Sequence, residues 1–315
     1  MSRILLKIIK IYGFNAFELN SVSLYCLIFT LKIQTMIKLF SILALLVVTN
    51  NEAAAQYYYK DILSVKQTRA DQRTYKAKQI RTIDVHSFEF DDQPSKGFFC
   101  EKQLSKDYKK MDTYTRTSGS SKSLLTSYFD DLGFLIRSED SSEINVSYAI
   151  YKYDKDSNLV SISTQSKSHD DDFITALNEI HKYNYDARGI LQNMFLIKNG
   201  KDTTEIDFTV DDKGNITDES EVSESGIHYF YYYDSQNRLT DIAHYNVVKK
   251  QTLPDFIFQY DDAGELVQMI VTMQGATSNY NIWSYLYDDG LRIKEKCYSK
   301  DKELLGYFEY EYLNK

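Results

Sequence analysis

The residues with the greatest chemical potential in this 315-residue chain are paired carboxylates: Asp130/Asp131, Asp211/Asp212, Asp261/Asp262 and Asp288/Asp289. Adjacent acids bind calcium or divide general acid and base work between them. Their spacing here is that of turns and not of a calcium loop, so the first Asp is expected to close a turn and the second to be solvated. A second cluster, His169-Asp170-Asp171-Asp172 with His181 downstream, contains ligand types for a metal. No HExxH or CxxC pair fixes their geometry, and the run reads as a solvated acidic loop. Nucleophile elbows, phosphate-binding glycine loops and dinucleotide fingerprints are absent. No catalytic residue, metal site or cofactor is therefore assigned.

Aromatic side chains form the other candidate site. The chain has 27 Tyr and one Trp, and tyrosine-rich surfaces suit sugar or peptide binding because rings stack and hydroxyls hydrogen-bond. On a strand, Tyr229, Tyr231 and Tyr233 share one face while Phe230 and Tyr232 share the other. With Trp283 they are the candidate ligand platform. The competing reading is a ladder of aromatics that stabilises the sheet itself. His228 and His244, on either side of this stretch, read as packing or surface residues.

Both sets of residues sit on a repeat. Aligned on an aspartate after an aromatic or apolar residue, the copies include YKYDKDSNLVSI, YNYDARGILQNM, YYYDSQNRLTDI and FQYDDAGELVQM. The aspartates are Asp130, Asp154, Asp186, Asp211, Asp234, Asp261 and Asp288, spaced 24, 32, 25, 23, 27 and 27 residues apart. Asp accepts hydrogen bonds from the backbone beyond it, and the residue three further on needs a left-handed conformation. Gly133, Gly189, Gly214 and Gly264 stand there, with Asn237 as the next best tolerated residue. Ser157 is a weaker substitute and Gly290 comes one residue early, so those two turns are expected to differ. Apolar residues five beyond Asp begin the return strand. Four copies add another at eight beyond: Ile162, Met194, Ile242 and Met269. An ideal strand cannot place both on one face, so either a bulge follows the turn or both faces are covered. A lone hairpin is marginal in water, so the units must lean on one another.

These residues resemble the YD-repeat, or RHS-repeat, family over roughly residues 126–297. The resemblance implies a stack of β-hairpins, which in large members forms a hollow shell around a cargo polypeptide and in others is linked to carbohydrate binding. It carries no catalytic residue across. The expected fold is all-β: antiparallel hairpin repeats in one extended or curved sheet, up to a partial shell.

The chain divides into four stretches. Residues 1–35 read as an upstream start called too early, the alternative being an uncleaved anchoring extension. Residues 36–55 carry a basic n-region, an apolar h-region at Leu39–Val48 and small residues Ala53–Ala55, the pattern of a cleaved signal peptide. Residues 56–123 hold a degenerate hairpin at 82–100, preceded by a basic stretch (56–81) that forms either a short amphipathic helix or edge strands. Residues 124–315 carry the repeats, and the alternating GYFEYEYLNK ending is expected to cap the sheet. Cleavage after Ala55 leaves 32 basic and 43 acidic residues, a formal charge of −11, which disfavours nucleic acid as a partner. Cys100 and Cys297 then remain, either as one disulfide or as two buried thiols. The expected product is an exported, periplasmic or extracellular, non-enzymatic protein that binds a glycan or an envelope protein. An envelope hydrolase using the turn acids and a relative of toxin shells are the alternatives.

Overall fold

The computed structural model describes residues 57–314 apart from 120–121, 143–144, 169–176, 223–227, 247–248 and 273–278. The signal-peptide pattern and the His169–Asp172 run lie outside the described residues. Among the described residues one helix, α1 (Tyr59–Ala77), precedes β1 (Thr82–Glu89), β2 (Phe99–Leu104), β3 (Lys110–Arg116), β4 (Ser123–Phe129), β5 (Leu135–Ser141) and β6 (Asn145–Tyr153). There follow β7 (Leu159–Ser168), β8 (Leu177–Tyr185), β9 (Leu191–Lys198), β10 (Asp202–Val210), β11 (Ile216–Glu221) and β12 (His228–Tyr233). The last six are β13 (Leu239–Asn246), β14 (Gln251–Tyr260), β15 (Leu266–Thr272), β16 (Tyr280–Asp288), β17 (Leu291–Ser299) and β18 (Leu304–Leu313).

Each strand pairs antiparallel with its neighbours in sequence, and the two ends meet. β1 and β18 pair over eight residues, from Thr82↔Leu313 to Glu89↔Gly306. The sheet is therefore a closed barrel of eighteen strands, not the extended sheet or partial shell expected from the repeats. Closure arises because the segment before the repeats supplies strands of its own. β1 gives the last strand a partner, so GYFEYEYLNK joins a ladder instead of capping an edge. Its aromatics Tyr310 and Tyr312 lie opposite Val85 and Ile83 on the inner face, while Glu309 and Glu311 lie outside.

The turns follow the repeat chemistry. In the Asp186 turn, Oδ1 accepts the Arg188 and Ile190 N–H groups at 2.8 and 2.9 Å, and the Gly189 N–H donates to the Asp186 carbonyl. Gly189 stands at φ 77° and Asn237 at 67°, both left-handed. Ser157 is left-handed too, at 71°, and the Asp154 turn repeats the same bonds, so the expected difference there is absent. The last turn does differ. Asp289 and Gly290 both have positive φ and form a two-residue connection, with Asp288 opposite Leu291.

A bulge resolves the spacing of five and eight. In each repeat the ladder slips one residue beyond the turn: Tyr185 faces Leu191, but Asn184 faces Asn193, leaving Gln192 out. Tyr183 then faces Met194, so Leu191 and Met194 both point inward. In the last copy Arg292 takes the first inward place and Ile293 is the residue left out. In four copies the tyrosine before Asp has a further role. Tyr153, Tyr185, Tyr233 and Tyr260 donate their hydroxyls to the carbonyls of Leu135, Leu159, Ile216 and Leu239, at 2.8–2.9 Å, tying each hairpin to the one before.

Helix α1 buries Tyr59, Ile62 and Val65 among Tyr183, Met194, Ile206, Tyr231 and Ile242 of the wall. Of the two expectations for residues 56–81, the helix is the one realised. Gln79, at φ 58°, ends it, and the Ile80 N–H reaches back to the Tyr75 carbonyl at 2.9 Å. Toward that end Tyr75 packs near Tyr312, and Lys78 reaches Asp289 on the β16–β17 turn at 2.5 Å. The helix thus crosses from the β8–β14 wall to the side where β1 begins.

Two substitutions measure these devices. Ser157→Gly should raise stability by about 0.5–1 kcal/mol, because it removes a Cβ from a left-handed residue. Tyr185→Phe should lower it by about 1–2 kcal/mol by leaving the Leu159 carbonyl unpaired. Urea unfolding midpoints check both; a shift of the opposite sign in either refutes its account.

Candidate functional site

The first N–H groups of a helix need acceptors, and α1 has no cap of its own. A carboxylate from the opposite wall supplies them. Glu219 on β11 accepts the Tyr58 N–H at 2.6 Å and the Tyr59 N–H at 2.9 Å, one on each oxygen. Tyr231 donates its hydroxyl to the same carboxylate at 2.7 Å. Glu219 reaches this place because it stands eight residues beyond Asp211, the inward position that is Ile162, Met194, Ile242 and Met269 in other repeats. Burial pushes its pKa up to about 7, with the Asp61 charge adding to the rise, against the three hydrogen bonds.

A second anchor lies one turn along. Asp61 of α1 contacts His181 Nδ1 at 2.5 Å and accepts the Tyr183 hydroxyl at 2.7 Å. The other ring nitrogen of His181 meets Glu179 at 2.9 Å. Burial alone would lower the His181 pKa, but the two carboxylates outweigh it and push it up to about 9. Burial likewise opposes ionisation of Asp61; the bonds from His181 and Tyr183 and the Lys60 charge prevail and hold it below the usual carboxylate range. The His181 hydrogen bond, against burial, holds Glu179 low as well. Both nitrogens of His181 are engaged, which leaves no lone pair for a substrate proton or a metal. The constellation is a polar clamp on the helix, and its ligand is the helix itself.

The candidate platform residues face inward. Tyr229 and Tyr231 are buried, with Tyr57 and Tyr59 packed against them at ring separations of 5.7 and 5.2 Å, and Tyr233 is committed to the Ile216 carbonyl. Trp283, 5% exposed, also faces inward but on β16, four strands from β12, with its Nε1 unpartnered. The structure brings the tyrosines together around α1 and leaves Trp283 apart from them. His244 pairs with Asp255 at 2.8 Å and His228 pairs with Asp218.

The turn acids lie one hairpin apart along one rim and do not converge. Hydrogen bonds from the residue four further on, Ile190, Asn215 or Arg238, hold Asp186, Asp211 and Asp234 below the usual carboxylate range. Among the second acids, Asp131 pairs with Lys109 and Asp289 with Lys78. The disulfide alternative is corrected: Cys100 and Cys297 are free and buried. β1 and β18 separate their strands, and three strand spacings of about 4.8 Å far exceed the reach of a disulfide.

Stability should decline with rising pH in two steps. Burial favours neutral Glu219, so its contribution is complete below its ordinary pKa of 4.5 and is lost as pH rises through about 7. His181 is favoured as the cation, and its contribution is complete below 6.5 and lost as pH rises through about 9. Urea midpoints across this range should flatten in the lower window for Glu219→Gln and in the upper one for His181→Gln; unchanged curves refute the clamp. Trp283→Ala should cost about 3–5 kcal/mol as a core truncation, a loss visible in the same unfolding measurement.

No family model matches the chain, and no curated protein matches it. Among solved structures it is similar to TcdB2-TccC3 at 12% identity and TM-score 0.27, covering 60% of this chain and 14% of that one. The chain therefore spans about one-seventh of that protein's length. It is similar also to porin-like proteins from Bacteroides uniformis, at 8% identity and TM-score 0.31, and from Bacteroides vulgatus, at 12% and 0.28. Each of these alignments covers 74% of this chain and 98% of the other.

Proposed function

We propose that this chain is an exported, non-enzymatic binding protein of the cell envelope, related to the YD- or RHS-repeat proteins, which holds its partner on the outside of the barrel. One observation carries the reading: the aromatic inner faces are occupied by the chain's own helix, whereas apolar side chains on the outer wall stand open. Ile150 lies opposite Ser163, and Ser163 opposite Ile180, so the two isoleucines share one outward row on β6 and β8. With Tyr148 they are 45%, 36% and 41% exposed. An outward row of Ile150 and Ile180 with Tyr148, bordered by the charged pair Arg137 and Glu139, suits a protein partner better than a glycan.

The outer wall meets water. Lys110 and Asp112, Arg137 and Glu139, Lys294 and Glu309, and His86 and Glu311 form pairs on it. Each Lys or Arg at mid-bilayer depth on a lipid-facing barrel costs about 2–4 kcal/mol. No helix among the described residues is long and apolar enough to cross a membrane. The signal-peptide pattern supports export, and the in-register repeat supports the family relation. A barrel that encloses a polypeptide segment favours a distant relative of RHS shells as the second reading, with the enclosed segment here belonging to the same chain.

Crosslinked affinity capture by the full tagged chain from its own envelope tests the proposal. Enrichment of one protein should be lost in a folded Tyr148→Ser/Ile150→Ser/Ile180→Ser variant and kept in Tyr232→Ser, on another part of the wall. Equal enrichment by both variants, or none by the unaltered protein, overturns it.

A further inference from the structure

The register of β6, β7 and β8 sets out a grid of side chains on the outer wall. Ile162 points inward from β7, so its neighbours Ser161 and Ser163 point outward. Lys152 and Lys182 lie opposite Ser161, one on each side, and Ile150 and Ile180 flank Ser163 in the same way. Tyr148 and Asn178 flank Gln165 in the next row. The long side chains of β6 and β8 form two ridges, and the two serines leave a groove between them. With neighbouring strands about 4.8 Å apart, the ridges stand about 10 Å from each other, and successive rows are spaced about 7 Å along the strands.

The groove is apolar at Ile150 and Ile180 and cationic one row away. Elsewhere on the outer wall lysines pair within the chain, as Lys110 does with Asp112 and Lys294 with Glu309. Lys152 and Lys182 are exposed, and neither enters an ion pair among the described residues. The outward acids of neighbouring strands are engaged, Glu139 with Arg137 and Glu205 with Asn193. Asp154 and Asp186, which close the β6–β7 and β8–β9 turns, are bonded to Asn158 and Arg188. In a chain of net negative charge, two uncompensated cations beside an apolar row call for an acid from outside.

We propose that the groove binds an extended acidic segment in which an apolar residue and an Asp or Glu stand two positions apart. The apolar side chain lies over Ser163 between Ile150 and Ile180, and the carboxylate lies over Ser161 between Lys152 and Lys182. Alternate residues of an extended chain share a face and repeat at about 7 Å, the spacing of the rows. A helix about 10 Å across does not enter a trough one strand wide. The groove belongs to the outer-wall binding surface, and the assignment of its ligand rests on that reading.

Calorimetric titration of the full exported protein with three capped peptides tests the assignment. They are Ser-Thr-Leu-Thr-Glu-Thr-Ser, the same peptide with Gln for Glu, and Ser-Thr-Thr-Leu-Glu-Thr-Ser, in which the apolar and acidic residues are adjacent and point to opposite sides. The first should bind about fivefold tighter than either of the others, as one or two exposed ion pairs provide. Lys152→Gln/Lys182→Gln should abolish the preference for Glu over Gln, and Lys110→Gln, outside the groove, should keep it. Equal affinity for the three peptides, a preference unchanged in Lys152→Gln/Lys182→Gln, or no binding at millimolar concentration overturns the proposal. In the envelope capture, the enriched protein should also be lost from Lys152→Gln/Lys182→Gln. Full retention there, with loss in Tyr148→Ser/Ile150→Ser/Ile180→Ser, overturns the acidic segment and leaves the outer-wall reading standing.

Discussion

The pairing of β1 with β18 is the constraint on which the rest of the molecule depends. Eight residue pairs join the first strand to the last and turn a meander of hairpins into a barrel, giving the sheet an inside. Closure removes both edges, and with them the rows of unpaired backbone groups that an open repeat sheet must protect. It also creates a requirement. A barrel of many strands encloses more space than its own inward side chains fill, so something else must occupy it.

Helix α1 meets part of that requirement at an electrostatic cost that the wall offsets residue by residue. Its first N–H groups would be orphaned inside the barrel, and Glu219 accepts two of them. Asp61 is buried beside His181, and Tyr183 donates a further bond to it. Buried acids held in this way hold one partner in one orientation; they are poor general acids because their hydrogen-bonding capacity is already used. The site therefore reads as a clamp on the helix.

Much of the fold was legible in the repeat. Asp at the turn, a left-handed residue three further on, and inward aromatics before it are local consequences of backbone chemistry, and the turn recurs in the structure in every copy but the last. The spacing of five and eight beyond Asp left two readings open, a bulge after the turn or cover on both faces of the sheet, and the register of the ladder decided for the bulge. The clamp left only a faint trace: Glu219 interrupts a column of Ile and Met, and His181 stands five before Asp186 where Trp283 stands before Asp288. Read as exceptions to the column, these two residues mark the inward polar positions. Read as a glutamate and a histidine in an acidic chain, they carry no signal.

Sequence by itself determined the antiparallel hairpins, their turns, their register and the inward face of each strand, because each of these is decided within about a dozen residues of one aspartate. Only the tertiary structure decided that the sheet closes, that the tyrosine faces pack against a helix, and that Cys100 and Cys297 stay apart. Those outcomes join residues more than a hundred positions apart, as Tyr59 to Glu219 or Thr82 to Leu313. No local preference of the chain encodes such a pairing; it follows from where eighteen strands, summed around the barrel, bring the two ends.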